Sequence, residues 1–541
     1  MAICHSVQPA LTICECIGIA SMAPQLYCDF LQLDKTAPYT FPHKPTELAH
    51  LNEQLDQLDR HISDLMELKS DLLHRSNQLI SPAYIVPNEI LSYIFCHSNE
   101  MDRRPQSGGC RPIDLPKKGM TLSAVSRRWR QVALCTSTLW EKVECRFTEK
   151  LQRNASLLIQ HCASHASSLD VSLLDKYRSR ADDTDGVGKA IQEIFTTGLS
   201  FPVVKRKLKT LQTQHITSPQ LIRLLPSFLR LENLTMQGGD FDFDVDLSSL
   251  PLSRVTLLST FFNSLILPPS VHFLHLEDQS PRNSITLLCN CPNLVEFINQ
   301  FRPYSYPNEP KPGVLRSRPL VLDSLKKLVW SSTTNFVNMA FAIKLDIPVI
   351  ETLELNYAAD LSLAPLTTFI YQISATLESL VLKSSYPTDS DWSIANLRYL
   401  FKFPIPTLRK LSLTNWSHAS IIKAIRALTP EEGENGYKDR CLPKLEYLSL
   451  DSTEGLMNEK PRDFDIWVLE LVKRRRIGED SHFQLDFSFT IGNYYDQAPW
   501  RPELLHEFKE FLANRSVELT VHGSKLNSYQ LAVWLSRRQS D

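Results

Sequence analysis

No two of the twelve cysteines in this chain stand at C-x-x-C spacing. The close pairs Cys14/Cys16 and Cys289/Cys291 are C-x-C, without a second pair at zinc-ligand spacing. Neither a zinc knuckle nor a disulfide framework organises the chain, and no metal or cofactor is expected. Reduced thiols in the cytoplasm or nucleus are the simple reading. Net charge is also lacking: −2 over 541 residues. No global basic field therefore recruits nucleic acid or an acidic membrane surface. No apolar run reaches the ~20 residues of a spanning helix. The stretch 11–20 contains Glu15 and lacks a basic lead, so it is a poor signal peptide. Catalytic signatures are missing too: there is no G-x-S-x-G, no H-E-x-x-H and no kinase set. Gly186-Val187-Gly188-Lys189 imitates the end of a phosphate loop. Asp183 stands where that loop needs glycine, however, and Ala190 where it needs Ser or Thr. His161-Cys162 is a lone pair without geometry for a nucleophile and base. A binding protein rather than an enzyme is the expectation.

Hydrophobic content of 43% and charged content of 22% suit a soluble globular chain, and its length suits about three or four domains. Residues 1–45 show no sustained period and read as an irregular lead-in. From Thr46 the pattern sharpens. Leu48, Leu51, Leu55, Leu58, Ile62 and Leu65 step by three and four, and Leu72 resumes the stripe after Lys69. That is an a/d seam of about three heptads. The spacing predicts a helix over 46–80, capped by Thr46 and ended by Ser81-Pro82. It either packs within the chain or forms a coiled coil with a partner or a second copy.

Residues 84–145 carry the most ordered set of motifs. Pro87 and Glu89 suit a first helical turn. Ile90, Leu91, Ile94 and Phe95 then make one apolar face. After a Pro/Gly-rich break, residues 121–133 predict a second helix with Leu122, Val125, Trp129 and Val132 or Ala133 in a stripe. The segment closes on Leu139-Trp140. In order, these are Val86-Pro87-Asn88-Glu89-Ile90-Leu91, Ile94-Phe95, Val125-Ser126-Arg127-Arg128-Trp129-Arg130 and Leu139-Trp140. The run resembles an F-box, of the F-box-like kind abundant in mushroom-forming fungi. The family pattern is Leu-Pro-x-Glu-Ile-Leu, Ile-Phe, Val-Cys-x-x-Trp-Arg and Leu-Trp. Val86 replaces Leu and Ser126 replaces Cys. The resemblance covers about a tenth of the chain. It implies docking onto the Skp-family adaptor, and through it a cullin, by Pro87, Ile90, Leu91, Ile94, Phe95 and Trp129. Leu139 and Trp140 would serve the internal core. Two amphipathic helices with a tryptophan anchor are also what an ordinary helical core looks like.

Residues 146–200 read as a helical spacer. From about residue 208 the template apolar-x-x-apolar-x-apolar recurs, starting at Leu231, Leu252, Val271, Leu325, Ile350, Leu377, Leu408 and Leu445. Leu208-Leu211 and Leu294-Phe297 are partial copies. The mean spacing is about 26 residues, inside the range of roughly 20–29 for leucine-rich repeats. The apolar-x-apolar tail has strand period, and stacked units would share one core. Pro292, Pro348, Pro406 and Pro443 precede strands, where they can end the preceding helix. The region resembles the irregular leucine-rich repeats that follow many F-boxes, although the signature Asn or Cys is mostly absent. An unrelated α/β fold is the alternative.

The expected fold is therefore α/β: a small helical F-box after an N-terminal amphipathic helix, then an irregular leucine-rich-repeat solenoid over 201–525 and a C-terminal helix or tail over 526–541. The residues between and after the inward-pointing pairs would line a concave face for an unknown protein substrate: Thr235, His275, Glu354, Lys383, Ser412, Thr414, Ser449 and Asp451. The ladder is polar and of mixed sign, which suits a protein partner better than a polyanion. The alternations at 483–489 and 517–521, with a helix pattern over 503–512, are expected to cap the solenoid. Lys473-Arg474-Arg475-Arg476 follows an apolar segment, where a helix C-terminus favours cations. A repeat scaffold without a ligase role is the competing reading.

Overall fold

The computed structural model describes residues 44–80, 85–101, 115–147, 155–175, 192–216, 219–279, 281–300, 320–331, 345–357, 363–384, 394–402, 405–429, 442–452, 464–474, 483–489, 517–521 and 524–525. The lead-in before residue 44, part of the expected helical spacer (residues 176–191), the helix pattern 503–512 and the expected C-terminal helix lie outside the described residues. Contacts divide the chain into two compact units, Met1–Pro87 and Asn88–Asp541. The described part of the first unit is dominated by one helix, α1 (Lys44–Ile80). It begins two residues before the expected cap, with Glu47 in its first turn, where the helix dipole favours an anion.

The second unit opens with three helices, α2 (Asn88–Met101), α3 (Leu115–Val125) and α4 (Arg127–Cys135), and a 3₁₀ turn at Ser137–Leu139. The helix expected over 121–133 is thus two helices. Ser126 separates them in an extended conformation, and its side chain accepts from the Trp129 N–H at 3.1 Å. That is an N-cap, the role a serine hydroxyl fills well.

Strands and helices then follow. The order is β1 (Lys142–Phe147), α5 (Ala155–His165), β2 (Leu169–Asp175), α6 (Pro202–Lys207), β3 (Leu208–Gln214), α7 (Pro219–Leu224), β4 (Asn233–Asp246), β5 (Arg254–Ile266), β6 (Phe273–Glu277), α8 (Pro281–Asn290) and β7 (Glu296–Gln300). Next come β8 (Leu320–Val321), β9 (Lys327–Ser331), β10 (Leu345–Asp346), β11 (Thr352–Tyr357), α9 (Leu363–Ile373), β12 (Ser379–Ser384), α10 (Ile394–Lys402), β13 (Lys410–Thr414) and α11 (His418–Leu428). The described chain ends with β14 (Tyr447–Ser452), α12 (Phe464–Arg474), β15 (Phe483–Phe489), β16 (Val517–Val521) and β17 (Ser524–Lys525). Among the described residues fifteen strands form one sheet in chain order, from β1 to β17 with β8 and β10 left out. Every pairing within it is parallel except β16 with β17, and β8 pairs with β10 separately. The fold is α/β with a large parallel sheet.

Why the repeated template makes this sheet is visible in its register. Leu211, Leu234, Val255, Leu274, Phe297, Leu328, Leu353, Leu380, Leu411, Leu448 and Leu485 stand in one column across neighbouring strands. All are at most 1% exposed. The apolar residue three positions earlier is buried too in the units from Leu208 to Leu445, for example Leu231, Leu294, Leu325 and Leu408 at 0%. Each such burial stabilises by about 1.5–3 kcal/mol. A tight turn precedes the strands: the N–H groups of Leu231, Leu250, Val271, Leu294, Leu325, Ile350, Leu408 and Leu445 donate to the carbonyl three residues back. Pro292, Pro348, Pro406 and Pro443 occupy the second position of four of these turns, where fixed φ fits. They shape the turn into the strand, and Pro292 also follows the end of α8 at Asn290 by two residues, as a helix-ending proline does.

The stacking is closed by a repeated backbone device. The carbonyls of Glu232, Ser253, His272, Val295, Lys326, Glu351, Glu378 and Arg409 each accept two successive N–H groups from the next strand. Just after the paired segment of the repeat, one residue turns left-handed in several units: His215 (φ 56), Gly238 (φ 67), Ser259 (φ 48), Asp278 (φ 59) and Asn415 (φ 60). Exposed ion pairs such as Lys209–Glu232 (3.2 Å) and Arg409–Glu446 (3.3 Å) bridge adjacent units, each contributing about 0–1 kcal/mol.

One expectation changes. The sheet starts at Lys142, so the supposed spacer holds β2 and α5. By contacts, the helices from Asn88 onward cluster with the sheet. Strands β15 and β16 continue the same parallel ladder and, with β17, stand at its end. In addition, β4 and β5 run on past the repeat and pair again from Gly239 with Thr260 to Asp246 with Ile266, with an irregularity between Phe241 and Asp244.

Candidate docking surfaces

Two surfaces of the second unit carry nearly all the sequence-predicted site residues. The first is on α2. Residues 90, 91, 94 and 95 cover more than one stripe of a helix, so a single core cannot bury them all. Leu91 is 3% exposed and Phe95 1%, whereas Ile90 is 51% and Ile94 47% exposed. The Phe95 ring meets Trp129 with centroids 5.0 Å apart, tilted by 56°. Leu91 and Phe95 therefore belong to the chain's own core. Trp129 is half-buried. Pro87, the residue before α2, is exposed, as are Tyr93, Met120 and Val125.

Polar contacts hold α2 against the helices and the 3₁₀ turn behind it. Both Nε and Nη2 of Arg128 donate to Asn88 Oδ1, at 3.0 and 2.9 Å. The Ser92 and Thr136 hydroxyls lie 2.8 Å apart, and Cys96 Sγ is 3.0 Å from Thr138 Oγ1. Lys118 Nζ donates to the Ser98 carbonyl. Beneath them Trp140 is fully buried, and its Nε1–H donates to the Ala133 carbonyl at 2.7 Å. The His161 ring stands edge-on to Trp140 at 5.1 Å, with His165 at 5.7 Å. Burial lowers the His165 pKa, with a smaller contribution from neighbouring His161. Gly119 lies against the Trp140 ring, and a Cβ there would come within 3.0 Å of it. Leu139 is buried, as expected of an internal anchor.

The second surface is the sheet face opposite the buried columns. Alternation along each strand puts every second side chain there. Thr235, His275, Glu354, Ser412 and Ser449 fall in a single register column, which also contains Thr256, Ile298, Val329 and Val381. Lys383 pairs with Thr414 two residues further along, and Asp451 follows Leu450, the partner of Leu413. Most of these side chains are half-buried, and Lys383 is exposed. Burial lowers the His275 pKa, opposed by a hydrogen bond with Gln300 and by the Glu277 charge. Asn356 Nδ2 donates to Ser331 Oγ at 2.8 Å, and Tyr447 donates to Asp486 Oδ2 at 3.0 Å.

The sequence template passed over part of this face. Ile298 and Val329 put an apolar segment between His275 and Glu354, and Val329 is only 5% exposed. Glu144, Ser172 and Gln212 extend the same column toward β1. A signal existed for that end: Trp140-x-x-Val143-x-Cys145 fits the template, and all three residues are buried.

Among the described residues no His, Cys, Asp or Glu side chains gather in a group of three or more that could hold a metal ion. No described helix is long and apolar enough to cross a membrane. No protein-family model matches the chain, and none of the curated proteins is similar to it.

Proposed function

We propose that the chain is a substrate-recognition adaptor of a Skp/cullin ubiquitin ligase, with an F-box at its helical start and irregular leucine-rich repeats behind it. The observation that carries this reading is the split face of α2. Leu91 and Phe95 build the chain's own core, while Ile90 and Ile94 stay exposed. Apolar side chains left out of the core on one helix, soon after Pro87 in the chain, suit a partner's apolar groove. The motif order from Val86 to Trp140 supplies the family resemblance. On this reading Pro87, Ile90 and Ile94 meet the Skp-family adaptor. Trp129 orients α2 through Phe95 rather than meeting the partner first.

The open sheet face then holds a protein substrate. Its polar ends and the apolar middle at Ile298 and Val329 suit an extended or folded polypeptide better than a polyanion. The chain acts by tethering in the cytosol or nucleus. It raises the effective concentration of substrate lysines near the conjugating enzyme and supplies no covalent chemistry itself.

The test is capture of a purified Skp-type adaptor by the full chain, measured by calorimetry. Wild type binds, and Ile90→Arg/Ile94→Arg abolishes binding while the denaturation curve stays unchanged, because both side chains are exposed. No binding by folded wild type refutes the ligase reading. A repeat scaffold that uses the sheet face alone would then stand in its place.

A further inference from the structure

We infer that α1 forms a parallel, in-register, two-stranded coiled coil with a second copy of this chain, so that the protein is a homodimer. The inference does not depend on the docking reading above.

The leucine seam runs beyond three heptads. Leu51, Leu58, Leu65, Leu72 and Leu79 recur every seven residues through the whole of α1. They take the d positions of five successive heptads. Leu48, Leu55 and Ile62 take a, and Lys69 and Ser76 follow them there. A strict seven-residue period matches the 3.5-residue turn of a supercoiled pair, not the 3.6 of a helix lying on a globular core. None of these leucines is buried. Leu48, Leu55 and Leu65 are more than half exposed, and Leu79 is 82% exposed. A 37-residue helix with its apolar side in water gains its stability from packing that side.

The charge and apolar pattern beside the seam selects the occupant and its direction. In a parallel in-register pair, each g residue faces the e residue five positions on in the second copy. Leu68 then meets Leu73, Gln54 meets Asp59, and Glu47 meets Asn52. No like charges face each other across these flanks. An antiparallel pair that overlaps the seam fully would set Asp59 against Met66, Asn52 against Leu73 and Leu58 against Lys69. Leu68 and Leu73 would then each face a polar residue, His61 and Asn52, and the apolar Leu68–Leu73 contact of the parallel pair would be lost, while the core layers Leu48–Leu79, Leu55–Leu72 and Ile62–Leu65 stay apolar in that arrangement. Lys69 is the one charge at an a position; in the parallel arrangement it faces Lys69 of the second copy, a like-charge layer at the seam that sets register and strand number at some cost in stability. Area also fits. Twelve apolar side chains at a, d, e and g, about half exposed at roughly 100 Å² each, offer about 600 Å² per helix. With the flanking polar stems this approaches the ~800 Å² that each partner of a stable complex covers. The second copy is the partner whose seam has this same period, length and flank. Two copies would present two sheet faces to one target and strengthen its capture by avidity.

Sedimentation equilibrium of the full chain tests this. Wild type is expected at the mass of two chains, and Leu58→Asp/Leu65→Asp at the mass of one. Because that variant could simply unwind α1, a charge pair provides the second measurement. Leu68→Glu alone and Leu73→Lys alone each weaken the dimer about tenfold, and together they restore it to within about threefold. The carboxylate introduced at position 68 of one copy reaches the ammonium introduced at position 73 of the other only in the parallel in-register arrangement. A one-chain wild type, or a two-chain mass indifferent to Leu58→Asp/Leu65→Asp, overturns the proposal. A three-chain mass overturns its strand number. Failure of the double variant to recover overturns its direction. None of these readouts involves the Skp-type adaptor, so this inference and the proposed function fail separately.

Discussion

Gly238→Ala tests the geometry by which one unit of the sheet hands over to the next. Gly238 follows Gln237, which pairs with Gln214 on one side and Leu258 on the other. It turns the chain left-handed at φ 67, as His215 does at the same place one strand earlier. Two costs follow from an added methyl. A non-glycine residue in the left-handed region costs about 1 kcal/mol or somewhat more. In addition, a Cβ built on Gly238 would lie 2.3 Å from His215 Nδ1 and 3.0 Å from its Cε1. The imidazole must shift in a place where Gly238 itself is buried, and overpacking of that kind costs about 1–3 kcal/mol. The sum is about 2–4 kcal/mol, felt locally because each unit of a repetitive sheet contacts mainly its neighbours. Hydrogen exchange of the β3 and β4 amides reads this directly. Exchange should accelerate by roughly 30- to 700-fold at about 1.4 kcal/mol per decade, with little change beyond β7. In a His215→Gly background the steric part vanishes. The same substitution should then cost about 1 kcal/mol, or about fivefold in exchange. An acceleration below threefold in the native background, or equal accelerations in both, would refute the reasoning.

Three further outcomes are expected. Phe95→Ala removes a 1%-exposed ring packed on Trp129 and should destabilise by about 3–5 kcal/mol; Ile94→Ala should stay within about 0.5 kcal/mol, both read by urea unfolding followed by tryptophan fluorescence. The His165 pKa is lowered in the fold, chiefly by burial and next by His161, so its neutral form is the one the fold tolerates. Its contribution is complete above the unfolded value of about 6.5 and is lost as pH falls through that value toward the lower folded one. Thermal stability should therefore drop on acidification across that window, with a shallower slope in His165→Gln. Cys162 and Cys291 are buried, and burial pushes their thiols up to about 12. Mapped alkylation at neutral pH should modify exposed Cys135 before these two, which react only on unfolding, because the thiolate is the reactive species.

The period of the chain was legible because it is a local property. Each Leu-x-x-Leu-x-Leu unit states its own strand, and the template starts between Leu208 and Leu445 all lead into strands of one sheet. The strictly seven-residue leucine row of α1 was equally open to reading, since a heptad needs no neighbour to be seen. What the local pattern could not decide is which apolar side chains face inward when a helix carries too many of them. On α2, Leu91 and Phe95 turn in because Trp129 and the residues around Thr136 meet them there, so Ile90 and Ile94 are left outside. The start of the sheet was hidden for a related reason: Val143 and Cys145 replace leucines, and only their register with Val171 and Leu173 makes them core. The same holds for the sheet face. Strand alternation named Thr235, His275 and Glu354, but it took parallel register to set Ile298 and Val329 between them and join the rungs into one surface. Period belongs to the sequence because it is set by backbone geometry. Facing belongs to the tertiary structure because it is set by which surfaces compete for the same space.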